Sequence, residues 1–208
     1  MSKLTIYNDD DNTFTKVEEP DPSASYTYAD YLQWKFEDQL ELIRGKIFKM
    51  SPAPAPFHQE ICSHLNRIIS TWLLKKKCKV YPAPFDVRLP GKKGNKDSDV
   101  TTVVQPDLCV ICDLSKIDAR GCIGAPDWVV EVLSPGNPHK EVKLKFELYE
   151  EAAVKEYWIV YPAEQTVAVF LLNEKGKYNG AVLYSGKEKI HSGALPGLTV
   201  NLKEVFTK

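Results

Sequence analysis

The spacing of apolar residues changes period several times along the chain, and each change marks an element. Ile61, Leu65, Ile68, Ile69 and Trp72 recur at intervals of three and four, which predicts an amphipathic helix over "FHQEICSHLNRIISTWLLKKK". The lysines at its end suit the negative pole of the helix dipole. Three strand-like runs follow: "VYPAPFDVRL", "TTVVQPDLCVICD" and "DWVVEVLS". The last two are apolar on both alternating faces, as in central strands covered on both sides. Helical spacing returns in "NPHKEVKLKFELYEEAAV", which leads into the short buried strand "EYWIVYP". Upstream, "YTYADYLQWKFEDQL" predicts a short helix with Asp30 near its start, and "ELIRGKIFKM" predicts a hairpin turning at Arg44-Gly45. "SPAPAP" stops that hairpin, because each proline removes a donor and restricts the residue before it. Downstream, "TVAVFLLNEKGKYNGAVLYSG" alternates and turns at "EKGK".

In order, the core reads helix, three strands, helix, strand, with a β hairpin before it and a β meander after it. That order predicts an α/β fold with a mixed sheet carrying helices. Residues 1–25 are polar, acidic and Pro-containing and read as a flexible arm, leaving 26–208 as a single domain. No run of about 18 apolar residues exists, which excludes a membrane-spanning helix. The start "MSKLTIYNDDDNTF" lacks the apolar segment of a secretory signal. The five cysteines are odd in number, and three fall in or beside apolar runs. They read as reduced, mostly buried thiols, which suits the cytoplasm. Cys109 and Cys112 have CxxC spacing but lie on a predicted strand with no second pair, a weak metal or redox signal.

A net charge of −1 gives no global basic field. Local clusters at 75–79, 92–96 and 139–145 read first as solvated faces. The Gly/Lys/Asp loop "PGKKGNKDSD" is expected to be mobile.

Two carboxylates stand out by location. Asp107 in "VVQPDLCVI" and Glu131 in "WVVEVL" are both embedded in apolar strand sequence. A buried carboxylate needs a cation, a donor or a metal. On consecutive strands of one sheet the two would face each other across about 5 Å. At that distance a divalent ion would relieve their repulsion. On the second long helix, at about 100° per residue, Lys145 falls with Val142, Phe146 and Tyr149 on the flank that faces the sheet. Its ammonium either snorkels to the rim or reaches the acid pair. Ser134 closes the strand after Glu131 without a base or a nucleophile elbow, so a serine hydrolase is not indicated. There is no phosphate-binding loop and no dinucleotide fingerprint.

Together, "QPD", "EVLSP", the helix with its lysine before "LY", and "EYWIV" resemble the PD-(D/E)xK nuclease superfamily. Within it the chain is most similar to the bacterial Uma-two restriction-endonuclease-like family. The likeness runs from about residue 27 to the C-terminus through "ELIRGKIFKMSPAP", "APFDVRLP", "GAPDWVVEVLSP" and "YEEAAVKEYWIVYP". The superfamily's usual lysine would stand at Leu133; in the family likeness it has moved to Lys145.

The resemblance implies a restriction-endonuclease-like core and metal-dependent hydrolysis of DNA. Asp107 and Glu131 would hold Mg²⁺ or Mn²⁺, with the Val132 carbonyl and waters completing the shell. Lys145 would assist the attacking water, and Glu41 would serve as a further ligand or base. His58, Asp86 and Ser134 would contact substrate or support these groups. The implied partner is nucleic acid, with DNA the expected substrate and a homodimer open. The alternative is a non-catalytic nuclease-fold binding or assembly protein, in which Asp107, Glu131 and Lys145 form a structural ionic cluster.

Overall fold

The computed structural model describes residues 4–8, 13–17, 21, 23–34, 40–49, 55–91, 94–134 and 139–207. The first half of the chain contains β1 (Leu4–Asn8), β2 (Thr13–Val17), α1 (Tyr28–Tyr31), β3 (Leu40–Ile43), β4 (Lys46–Lys49), α2 (Pro56–Leu73), β5 (Lys79–Pro82), β6 (Val87–Arg88) and β7 (Val103–Val104). The second half contains β8 (Leu108–Ile111), β9 (Ile117–Asp118), β10 (Gly121–Ile123), β11 (Trp128–Val132), α3 (His139–Glu151), β12 (Glu156–Tyr161), β13 (Thr166–Leu171), β14 (Val182–Ser185), β15 (Lys189–His191), β16 (Thr199–Asn201) and α4 (Leu202–Val205). These elements form two compact units. One comprises Met1–Pro52 with Arg88–Val104, the other Ala53–Val87 with Gln105–Lys208.

In the first unit, β3 and β4 form the expected hairpin around Arg44 and Gly45, both with positive φ. Gly45 is needed there twice over, because a Cβ would also meet the Ser25 side chain. β7 pairs with β3 through Leu42 opposite Val103. The helix predicted near Asp30 is a single turn. Thr27 and Asp30 form a reciprocal capping box at its start; residues 35–39 of the predicted helix lie outside the described residues. Tyr28 N–H donates to the Val100 carbonyl and Ala29 N–H to the Asp97 carbonyl. The part of the Gly/Lys/Asp loop that is described is therefore tied to α1, whereas Lys92 and Lys93 lie outside the described residues. Within the segment read as an arm, β1 and β2 pair as an antiparallel hairpin.

The second unit carries the predicted core. Its sheet runs β14-β13-β12-β11-β8-β5, with β11 and β12 parallel and the other neighbours antiparallel. Side chains alternate between faces along a strand. Trp128, Val130 and Val132 of β11 therefore join one core with Leu108, Val110, Trp158 and Val160, covered by Ile61, Leu65, Ile69 and Leu73 of α2. The other face meets α3, where Tyr149 lies 5.0 Å from Tyr157 and Phe146 5.0 Å from Phe170. Pro56 opens α2 at a position where its missing N–H costs nothing. The helix ends at Leu73, so the basic cluster lies past its last turn, and Lys76 Nζ sits 3.5 Å over the Trp72 ring. Residues 51–54 of the proline stretch lie outside the described residues, as do 135–138 before α3.

Two predicted strands break at prolines. "VYPAPFDVRL" divides into β5 and β6, and "TTVVQPDLCVICD" into β7 and β8. The expectation of five reduced thiols is corrected at two positions, because Cys78 and Cys112 form a disulfide. β5 and β8 are antiparallel with Lys79 opposite Ile111, so the next residues out, Cys78 and Cys112, also face each other. Three residues apart on a strand, Cys109 and Cys112 point to opposite faces, so their CxxC spacing brings no pair together. Cys62, Cys109 and Cys122 are free thiols.

Candidate active site

The antiparallel register of β11 and β8 sets Val130 opposite Leu108. One step further along, the register leads to Glu131, whose side chain meets α3, and to Asp107, the residue just before β8. The two acids expected to face each other thus stand at the same end of neighbouring strands. Asp107 Oδ2 accepts the Val132 N–H at 2.7 Å, which locks the carboxylate to the neighbouring strand. Among the described residues its other oxygen, Oδ1, has no bonded partner.

Glu131 is buried, and two groups from α3 answer its charge. Lys145 Nζ lies 3.1 Å from Glu131 Oε1, and the Tyr149 hydroxyl donates to the same oxygen at 2.6 Å. One helical turn separates Lys145 from Tyr149, so both project from one flank of α3. Lys145 therefore reaches Glu131 instead of snorkelling to the rim. Leu133, two residues past Glu131, shares its side of the strand, which is why a lysine there would serve the same place.

His58 enters from the first turn of α2. Its Nε2 lies 3.5 Å from Asp107 Oδ2, an ion-pair contact rather than a short hydrogen bond. Burial lowers the His58 pKa, but the Asp107 contact, the Val132 carbonyl and the Glu131 charge outweigh it, and the net shift is upward from 6.5. Cys62, one turn along, places Sγ 3.6 Å from His58 Nδ1. Burial first, and then the Asp107 and Glu131 charges, push the Cys62 thiol well above its ordinary range.

Other predicted site residues sit elsewhere. Asp86 accepts from Gln105 Nε2 at 2.8 Å, and its carbonyl accepts from Cys122 N–H. It lines a shallow cavity of about 430 Å³ with Tyr81, Phe85, Gln105 and Arg120. Ser134 is half-buried just past the end of β11. Glu41 is a buried residue of β3 in the other compact unit.

Tyr149 and Cys62 are the site residues that sequence reasoning did not single out. Both stand four residues from one that it did, Lys145 and His58, and that helical interval is the signal that would have found them.

The order helix, three strands, helix, strand in this sheet is that of a restriction-endonuclease-like core. Residues 28–203 match the model of the Uma2 family, described as "Putative restriction endonuclease", and the chain belongs to this family. Among solved structures, the chain is similar to a crystal structure of a putative nuclease belonging to DUF820 from Anabaena variabilis. The TM-score is 0.69 at 20% identity, over 88% of this chain and 98% of that one, a likeness of fold. No curated protein matches the chain. Among the described residues, no helix is long and apolar enough to cross a membrane.

Proposed function

We propose that this chain hydrolyses phosphodiester bonds of DNA at the Asp107–Glu131–Lys145 centre, with Mg²⁺ or Mn²⁺ as cofactor. The observation that carries this reading is a buried carboxylate, Glu131, bonded to a lysine from another element, with a second carboxylate, Asp107, bonded to the backbone of the very next residue. Two carboxylates and the Val132 carbonyl are hard oxygen donors, the set these ions prefer, and Asp107 Oδ1 is available to one. When bound, such an ion polarises a phosphate and lowers the pKa of water.

The chain's own groups supply the rest. Lys145 offers a positive charge to developing phosphate charge and can hold a water in line. Tyr149 fixes the orientation of Glu131, and Val132 N–H fixes that of Asp107. His58 supports Asp107 from behind. By family resemblance Glu41 is a further acid, with Asp86 and Ser134 as supporting or substrate contacts. The lysine clusters supply local phosphate contacts, for which the net charge of −1 is no obstacle. Exposed Val182 and Leu183 on the edge strand β14 offer a surface for pairing two chains.

A second reading has its own support. Lys145 and Tyr149 already answer Glu131, and His58 and Val132 N–H already answer Asp107, as in a structural ionic cluster without catalysis. One experiment separates the two. DNA is incubated with Mg²⁺ or Mn²⁺ and the wild-type chain, or with Asp107→Ala, Glu131→Ala or Lys145→Ala. Cleavage by the wild type alone supports the nuclease. If the wild type cuts no DNA across metals and salts, and neither ion raises its melting temperature, the structural cluster is the better account.

A further inference from the structure

The same end of the sheet holds a second set of donors, of different chemistry. His58 and Cys62 stand one turn apart on α2, and Asp107 meets them from the start of β8. One ligand atom from each of the three lies within 4.8 Å of the others. Cys62 Sγ is 3.6 Å from His58 Nδ1, and His58 Nε2 is 3.5 Å from Asp107 Oδ2. The two contacts use opposite nitrogens of the His58 ring and a shared ion takes only one of them, so binding draws the three donor atoms in from a spread of up to 4.8 Å toward the roughly 3.5 Å separation of tetrahedral ligands.

Nitrogen, sulfur and oxygen together make a softer set than a pair of carboxylates, and they select zinc-class ions over Mg²⁺. The cysteine chemistry points the same way. Cys78 and Cys112 are joined, and Cys109 and Cys122 are buried. Cys62 is the free thiol with partial exposure, and its Sγ meets the His58 ring.

We propose that His58, Cys62 and Asp107 bind a thiophilic divalent cation of the zinc class, with a fourth position open to solvent or substrate. The site shares Asp107 with the proposed nuclease centre. It rests on that reading only for one consequence, that a zinc-class ion and an oxygen-bound ion contend for the same carboxylate. Binding displaces the Cys62 proton, because the ligand is the thiolate.

Cobalt(II) titration of the metal-free chain tests this directly. Thiolate ligation gives a near-ultraviolet charge-transfer band, and tetrahedral coordination gives visible ligand-field bands. One equivalent per chain is expected to produce both, and zinc to bleach them. Cys62→Ser, which keeps the side chain's size, is expected to lose the charge-transfer band. His58→Ala is expected to weaken binding more than about tenfold, since even outer-shell partners of a metal are worth that much. Glu131→Gln, outside the donor set, is expected to keep the spectrum. Circular dichroism confirms that each variant is folded.

Absence of the band in the wild type, or its persistence in Cys62→Ser, overturns the site. Cleavage is not part of this readout. A chain that binds cobalt through Cys62 yet cuts no DNA keeps this site and loses the nuclease reading. A chain that cuts DNA but shows no band does the reverse.

Discussion

Lys145 Nζ, carried by α3, lies 3.1 Å from Glu131 Oε1 in the middle of a buried strand, and each side chain is only 10% exposed. Neither charge is affordable alone in such surroundings. Lys145→Met is therefore expected to destabilise the fold by about 3–5 kcal/mol, the usual loss on breaking a buried ion pair. The double variant Lys145→Met with Glu131→Leu is expected to recover most of that, because no charge is stranded. Urea unfolding of both variants checks the pair. A single variant within about 1 kcal/mol of wild type would mean that the pair behaves as a solvated one.

Tyr149 separates orientation from chemistry. Tyr149→Phe removes one bond to a charged oxygen, which is expected to cost about 1.5–3 kcal/mol of stability. Under the nuclease reading it lowers cleavage less than Lys145→Ala, whose loss is about 10²–10⁴-fold. Equal losses of rate in the two variants would contradict the division of roles drawn above.

The upward shift at His58 makes a signed prediction for stability. Its folded-state pKa lies above the unfolded value of 6.5, so the folded chain holds the proton more tightly. The stabilisation is complete below pH 6.5 and is lost as pH rises through the folded-state value. The wild type's advantage over His58→Gln is thus expected to shrink from pH 6.5 upward. Denaturant melts at several pH values show it, and an advantage that grows with pH would refute the assignment.

Oxidation state contributes through the chain's loops. The Cys78–Cys112 bond closes residues 34 apart in sequence, which by the chain-entropy account is worth about 3–4 kcal/mol. Cys78→Ser with Cys112→Ser is expected to lower unfolding stability by that order, and reductant to act similarly on the wild type but not on the variant.

A second buried acid, Glu156, lies within a network of donors. Glu156 accepts bonds from Trp158 Nε1, Ser192 Oγ and Ala194 N–H, and burial raises its pKa despite them. Glu156→Ala leaves three donors unanswered and is expected to cost about 3 kcal/mol or more. A calorimetric melting temperature unchanged by the substitution would show that water replaces the carboxylate there.

Local periodicity carried the core because its elements are set by local spacing. The α2 stripe, the doubly apolar strands and the α3 face are each visible within a dozen residues. Asp107 and Glu131 were legible as costly residues in apolar runs, and Lys145 as a cation on a packed face. What failed was whatever depends on partners distant in sequence. The Cys78–Cys112 bond follows from the register of β5 on β8, which no local pattern encodes. Pro82, Pro84 and Pro106 break runs whose apolar content alone looked continuous. Tyr149 was read only as core because a phenol is mostly apolar surface, and its one polar atom decides its role. Cys62 was grouped with inert thiols although His58 stood one helical turn before it.

The lysine's address on α3 has a mechanical consequence. A lysine two places along its own strand would be held by the sheet's hydrogen-bonded ladder. Lys145 is held instead by the seating of α3, through contacts such as Phe146 on Phe170 and Tyr149 on Tyr157. Such seats loosen before ladders do. Under the nuclease reading, lifting the helix would disarm the centre while the strands stayed paired, so warming is expected to end cleavage at temperatures where the sheet is still intact.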